Sequence, residues 1–117
     1  METTYEQVCE FLKGKGFKGP QEIPSQYSPL FYKRVDDVAP MCLCNDLQQL
    51  CIWVHDIDLG GGTRRRTLSF EVSGEYTPDN WVKIEVYSME WDRAMREFDQ
   101  LCEHALAAWK ALCAFRK

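Results

Sequence analysis

The sequence predicts an α+β fold with an N-terminal helix, an antiparallel β-meander of four or five strands and a long C-terminal helix packed on the sheet. Two patterns predict it. The segment from Ser88 to Phe115 repeats apolar residues at helical spacing, whereas the segments before it alternate apolar and polar residues as half-buried strands do. The apolar stripe of this helix complements the apolar face of the strands, so the two should form adjacent layers.

The first helix opens with a capping signal. Thr3 with Glu6, or Thr4 with Gln7, has the spacing of a capping box, which satisfies free backbone N–H groups at a helix start. The apolar face of this helix consists of Tyr5, Val8, Cys9 and Leu12. We expect the helix to end in the glycine-rich region 14–19, and residues 19–29, which contain three prolines, to form an irregular connection.

The middle of the chain reads as strands joined by turns. The predicted strands are Leu30–Val35, Met41–Cys44, Gln49–Ile57, Thr67–Ser73 and Trp81–Tyr87. The last two alternate strictly, with apolar residues at 68, 70, 72, 82, 84 and 86. Asn45–Gln48 and Thr77–Asn80 have the composition of hairpin turns.

The long helix is predicted to begin after Ser88 as its N-cap and to run without a glycine or proline to Phe115. Its stripe consists of Trp91, Met95, Phe98, Cys102, Ala105, Trp109 and Leu112. Between Ala105 and Phe115 only Lys110 is charged, so this half should be covered on more than one side. The covering element would be the first helix or, in a homodimer, the C-terminal helix of a second copy.

The length and composition suit one α+β domain covering residues 1–117. The formal charge of −4 disfavours nucleic acid as a partner, since such surfaces are usually basic. No apolar run is long enough to span a membrane, and the N-terminal residues do not resemble a signal peptide, so we expect a cytoplasmic protein with no membrane partner. The six cysteines are then expected to be reduced thiols.

The order helix, strands, helix is similar to that of double-stranded RNA-binding domains. In that family the second helix opens with lysines that grip phosphates, whereas the corresponding segment here is Ser88-Met89-Glu90-Trp91-Asp92. Its acidic residues would repel phosphate. The likeness is confined to the order of the elements, and the sequence assigns the chain to no family.

One cluster has the residue types of a metal site. Cys42, Cys44, Cys51 and His55 would share one side of a hairpin, with Cys42 opposite Cys51. Structural zinc ligands usually come from a Cys-x2-Cys turn, and ligands in a flat cross-strand row do not close a tetrahedron. We therefore predict no metal and no cofactor.

A basic segment and an acidic pair flank the glycines 60–62. The arginines Arg64, Arg65 and Arg66 are predicted to lie on a glycine-rich hairpin loop, where they could hold phosphates or carboxylates. The alternative, which the sequence favours slightly, is the tip of a long β-hairpin that its charge keeps soluble. Asp56 and Asp58 precede it and, with His55, are the residue types of a small metal-dependent enzyme.

The strongest predicted contact surface is the face of the sheet turned away from the helices. If Leu50, Ile52 and Val54 face the helices, then Trp53 and His55 face outward, and the same alternation places Trp81 and Tyr87 beside them. Aromatic residues often provide the main anchors of protein interfaces. The alternative is that the segment from Phe17 to Tyr27 covers this face.

The sequence contains no recognisable catalytic motif, so a non-catalytic module that docks on another protein is the favoured function. Small inhibitors, immunity proteins, anti-defence proteins of viruses and chaperone-like adaptors share this profile. The predicted partner-binding residues are Trp53, His55, Arg64, Arg65, Arg66, Trp81 and Tyr87. The alternatives are a nucleic-acid or phosphate binder using Arg64–Arg66, and a small metal-dependent enzyme around His55, Asp56 and Asp58.

Overall fold

The chain forms a five-stranded antiparallel sheet with helices packed on it in the computed structural model, which describes residues 2–22, 28–34, 48–77 and 80–115. The elements are α1 (Tyr5–Gly14), β1 (Lys18–Gln21), β2 (Leu30–Arg34), β3 (Gln49–Gly60), β4 (Thr63–Thr77), β5 (Asn80–Glu90), α2 (Trp91–Arg96) and α3 (Phe98–Phe115). The strands lie side by side in chain order. The predicted α+β fold, with its terminal helices and its meander, is confirmed.

Helix α1 begins and ends where its sequence predicts. Thr4 is the N-cap, and its hydroxyl accepts a hydrogen bond from the backbone N–H of Gln7, whose side chain accepts one from the backbone N–H of Thr4. The helix ends at Gly14, and Gly16 then adopts a φ of +90°, a conformation that glycine takes without strain. The predicted capping box at Thr4 and Gln7 is confirmed.

The core lies between the sheet and the helices. Strands β3 and β4 contribute alternate residues, including Leu50, Ile52 and Phe70, all of them buried. Phe98 of α3 meets the rings of Phe11, Phe17 and Phe70, with ring centroids 5.2–5.7 Å apart. The helix thus attaches to the sheet through a cluster of aromatic rings.

A second anchor of α3 lies at Trp109, which is fully buried. Its indole N–H donates a 2.6 Å hydrogen bond to the side-chain oxygen of Gln48, the residue immediately before β3. The six-membered edge of the indole approaches β4 at Gly74, where an added Cβ would lie 2.9 Å from Trp109 Cζ2. A glycine at this position therefore allows the helix to pack closely against the strand.

The C-terminal helical segment starts later than predicted, and it is divided. Ser88 is not an N-cap, because it pairs with Ser69 inside the sheet as part of β5. The N-cap is Glu90, whose carboxylate accepts hydrogen bonds from the N–H groups of Asp92 and Arg93. Helices α2 and α3 meet at Glu97, so the predicted single helix is wrong in its start and its continuity.

Strand β1 is not predicted by the sequence, because Gly19 and Pro20 favour the irregular connection expected for residues 19–29. The strand pairs with β2 through Lys18–Tyr32 and Gln21–Leu30. The predicted strand Met41–Cys44 and most of the turn Asn45–Gln48 lie outside the described residues. None of the helices in the described part of the chain is long and apolar enough to cross a bilayer.

Candidate functional site

The face of the sheet turned away from the helices, here called the open face, carries the candidate site. Leu50, Ile52 and Val54 of β3 are buried in the core, as predicted, and the alternate residues Trp53 and His55 lie on the open face, half-buried. A shallow depression of about 200 Å³ is lined there by Trp53, His55, Ser69, Glu71, Lys83 and Glu85. The open face is therefore polar as well as aromatic.

His55 is held between serine hydroxyls. Its Nδ1 lies 2.6 Å from Ser28 Oγ and its Nε2 lies 2.9 Å from Ser69 Oγ. Ser69 in turn donates to Ser88 Oγ at 3.4 Å. Since a neutral imidazole donates from one nitrogen and accepts at the other, the consistent arrangement has Nε2–H donating to Ser69 and Nδ1 accepting from Ser28. The described partners of His55 include no carboxylate that would orient it as in a catalytic triad.

Burial lowers the pKa of His55, and the nearby carboxylate of Glu85 opposes this effect in part. The folded protein consequently favours the neutral imidazole, which suits a ring bonded to hydroxyls on both sides.

This pKa shift predicts an acid-sensitive stability. As the pH falls below about 6.5, the unfolded chain takes up a proton on His55 that the folded chain binds more weakly, so acidification favours unfolding until the lower folded-state pKa is passed. We expect the melting temperature of His55→Gln to depend less on pH in this window than that of the wild type. Thermal melts followed by circular dichroism between pH 7.5 and 5 would measure this, and equal slopes for the two proteins would contradict it.

Trp53 is fixed by a charged neighbour rather than left free. Its indole N–H donates a 3.2 Å hydrogen bond to Glu71 Oε2 on β4. Burial raises the pKa of Glu71, an effect that Lys83 and the indole hydrogen bond oppose, and that Glu85 reinforces. The predicted outward position of Trp53 is correct, and its ring is already oriented in the free protein.

Cys51 does not have the predicted cross-strand partner. Its register partners are Tyr32 on β2 and Glu71 on β4, so a strand already lies on each side of it. The thiol is buried, 3.8 Å from Ser73 Oγ, and burial raises its pKa to about 11. Cys42 and Cys44 lie outside the described residues. Within the described ranges, no group of three or more His, Cys, Asp or Glu side chains is placed to hold a metal ion.

The β3–β4 hairpin extends beyond its neighbours. Strand β2 pairs with β3 only as far as Trp53, and β5 pairs with β4 only as far as Thr67. Residues 56–66, here called the arm, consequently form a two-stranded ribbon with no described strand on either edge. The arm closes at Gly61 and Gly62, whose φ values are +60° and +81°, and the molecule is 49 Å long against 28 and 21 Å in its other dimensions.

The three arginines lie on strand β4 of the arm, so the predicted loop is wrong and the alternative of a long β-hairpin describes their position. The period of two in a strand places Arg64 and Arg66 on one side and Arg65 on the other. Arg64 Nε lies 2.8 Å and Arg66 Nε 3.4 Å from Asp56 Oδ1, and Arg66 also reaches Glu2 at 3.2 Å. Hydrogen bonding by Arg64 lowers the pKa of Asp56.

Asp56 and His55 therefore lie on opposite sides of β3, which separates the acid and the imidazole that the enzyme alternative would require together. The carboxylate of Asp58 accepts a 2.9 Å hydrogen bond from the backbone N–H of Gly60, next to the turn that closes the hairpin. The partial neutralisation of Arg64 and Arg66 by carboxylates also makes them weaker ligands for phosphate.

The open face of the arm differs from this ion-paired side. Ile57 continues the row of Trp53 and His55 along β3 and is 39% exposed, and Leu59, in the irregularity between Asp58 and Gly60, is 53% exposed. They are the exposed large apolar side chains of the described part of the chain. Arg65, the register partner of Ile57, is exposed on the same face and makes no ion pair with any residue that the structure describes.

Tyr87 was predicted on the open face and lies on the opposite one. Tyr87 pairs with Phe70 and Glu85 pairs with Glu71, so Val86 is an extra residue between these two pairs. This β-bulge reverses the alternation of β5 beyond Val86. Tyr87 packs against the core, and its hydroxyl lies 3.1 Å from His104 Nδ1 on α3. Trp81 lies in β5, where its backbone pairs with Glu75 of β4. The side chain of Trp81 lies outside the described part of the structure.

The sequence pointed to the right strand but not to the residues that end it. The sequence predicts that β3 ends at Ile57, because glycines follow soon after, whereas the strand continues through Leu59 to Gly60. The signal for these residues is alternation, because Trp53, Ile57 and Leu59 are separated by even numbers of positions, which is the spacing of a strand.

Comparison with known proteins adds no functional assignment: the chain matches no protein-family model, no curated protein and no solved structure. A function must therefore be inferred from the residues of this chain alone.

Proposed function

We propose that this chain is a non-catalytic interaction module that docks on another protein through the end of its arm, at Ile57, Leu59 and Arg65, with Trp53 at the base of the contact. The observation that carries the proposal is the position of Ile57 and Leu59. These exposed apolar side chains lie two positions apart near the end of a projecting ribbon.

The shape of the arm supports docking. A two-stranded ribbon held by a continuous ladder from His55–Thr67 to Asp58–Arg64 presents its side chains in fixed directions, which limits the entropy lost on binding. Beyond Trp53 and Thr67 its edges also offer backbone donors and acceptors to a partner strand.

The charges of the arm indicate the chemistry of the partner. Asp56 already neutralises arginines on the side turned away from the open face, whereas Arg65 stands beside Ile57 without a described counter-ion. We infer that the partner presents an apolar depression for Ile57 and Leu59 with a carboxylate at its rim for Arg65. An inhibitor or an anti-defence or immunity-type protein is the class we propose, because a small domain without a recognisable catalytic motif fits that profile.

The test compares the full chain with the double variant Ile57→Ser/Leu59→Ser. We expect the wild type to recover one protein from host lysate in stoichiometric amount and to bind it when purified, and the double variant to bind at least about thirtyfold more weakly, since an interface anchor contributes about 2 kcal/mol or more. Isothermal titration calorimetry of the purified pair measures this. Arg65→Gln should weaken binding less, mainly through the association rate and its salt dependence.

The control is Ala111→Ser, an apolar-to-polar change at an exposed position of α3 on the other side of the sheet, which should bind as the wild type does. Equal binding by the arm variant and the control would refute docking through the arm. Tight binding of single- or double-stranded nucleic acid at low salt, abolished by replacing Arg64, Arg65 and Arg66 together, would refute the protein partner in favour of the nucleic-acid alternative.

A further inference from the structure

Strand β5 lies at one edge of the described sheet, and β1 lies at the opposite edge. It pairs with β4 from Asn80 to Glu90, and none of the strands in the described ranges pairs with its other edge. Val82 and Ile84 are half-buried on the helix side, and Lys83 and Glu85 are exposed on the open face. An edge of this length can accept another strand.

The side chains along this edge have a symmetric order. From Val82 to Val86 the sequence is Val-Lys-Ile-Glu-Val, so it has Val at both ends, Ile at the centre, and opposite charges on either side of the centre. An antiparallel pairing of this segment with itself, centred on Ile84, places valine opposite valine and lysine opposite glutamate.

We propose that β5 pairs with the β5 of a second copy of this chain, antiparallel and centred on Ile84, so that the two sheets become continuous. Lys83 then faces the partner's Glu85, and Glu85 faces the partner's Lys83. The two-fold axis is perpendicular to the sheet and passes midway between the two copies of Ile84, so the contact is of the closed, isologous kind.

The proposed pairing improves the electrostatic environment of Glu85 most. Within its own chain its register partner is Glu71, and two carboxylates in directly opposite positions destabilise a strand pair. The lysine of the second copy would approach Glu85 from the side that β4 does not occupy. The contact therefore relieves a like-charge pair that the single chain contains.

The other edges of the described sheet do not have this complementarity. On the arm, pairing β3 with itself about Ile57 would place Asp56 opposite the partner's Asp58, and pairing β4 with itself about Arg65 would bring arginines together. Strand β1 has four residues and includes Pro20, which has no N–H to donate. The β5 edge is thus the one that fits a second copy.

The same geometry brings helices together. Because the axis is perpendicular to the sheet, both copies of α3 lie on the same face and close to the axis, since α3 packs on β4 and β5. The bulge at Val86 ends the regular edge, so the strand contact is short and the expected dimer is weak, with a Kd on the order of micromolar.

The experiment is sedimentation equilibrium of the full chain over a concentration series from about 1 to 200 µM. The wild type should show a monomer–dimer equilibrium. Lys83→Glu replaces both opposite-charge pairs with like-charge pairs and should weaken the dimer about tenfold or more, as should Glu85→Lys. The double exchange Lys83→Glu/Glu85→Lys restores the opposite pairing and should return the Kd to within about threefold of the wild type.

The control is Lys13→Glu on α1, which changes the net charge by the same amount at another exposed position and should leave the Kd unchanged. A chain that stays monomeric throughout the series would overturn the proposal. So would a dimer that Lys83→Glu and Lys13→Glu affect equally, or one that the double exchange fails to restore. Thermal melts of each variant show whether it folds, and the double exchange separates loss of pairing from loss of folding.

Discussion

Replacing Trp109 with alanine is expected to lower the free energy of unfolding by about 3–5 kcal/mol, the usual cost of truncating a buried large aromatic side chain. The indole is fully buried between α3 and the sheet, so its removal leaves a cavity that the neighbouring strands cannot fill without moving. The variant also loses the 2.6 Å hydrogen bond from the indole to Gln48.

Urea denaturation of Trp109→Ala and of the control Lys110→Ala would measure this effect. Lys110 is the exposed neighbour of Trp109 on the same helix, so its replacement should change stability by no more than about 0.5 kcal/mol. A urea midpoint for Trp109→Ala equal to that of the control would show that the C-terminal stripe is not part of the core.

Replacing Phe98 with alanine is expected to cost a similar amount, about 3–5 kcal/mol. Phe98 is buried at the first turn of α3, and its ring contacts Phe11, Phe17 and Phe70, which belong to α1, the turn after α1, and β4. Its loss would remove three aromatic contacts together and loosen both helices from the sheet.

Phe98→Leu keeps most of the buried volume and should be less destabilised than Phe98→Ala. The measurement is again urea denaturation, with hydrogen exchange of the amides in α1 as a second readout. If Phe98→Ala lost stability while α1 kept its protection at the wild-type level, the inferred link between the two helices through this ring would be wrong.

Local signals in the sequence predicted well where one physical effect acts alone. The capping box at Thr4 defines the start of α1, and the strict alternation around Phe70 identifies β4 and its buried face. The stripe of α3 was also predicted, since Trp109 and Phe98 are both buried. For β4 and α3 the period of the apolar residues is sufficient, because burial of one face is what stabilises the element.

The errors lie where pairing between distant segments decides the structure. Ser88 has a good N-cap side chain, but pairing with Ser69 extends β5 through it. Tyr87 changes side because the bulge at Val86 depends on how β5 fits β4, which alternation within β5 does not reveal. The same limit applies to the candidate site: the sequence identified Trp53 and His55, and the strand register then revealed Ile57 in the same row.

The close contact between Gly74 and Trp109 constrains how this sequence can change over time. A Cβ at position 74 would lie 2.9 Å from the indole and 3.1 Å from Gln48 Cγ, so the residue sizes at positions 74 and 109 must vary in opposite directions. A lineage that acquired alanine at position 74 first would strain α3 against β4, and one that reduced Trp109 first would leave a cavity. Natural drift at this pair should therefore be slow, because either substitution is selected against until the other has occurred.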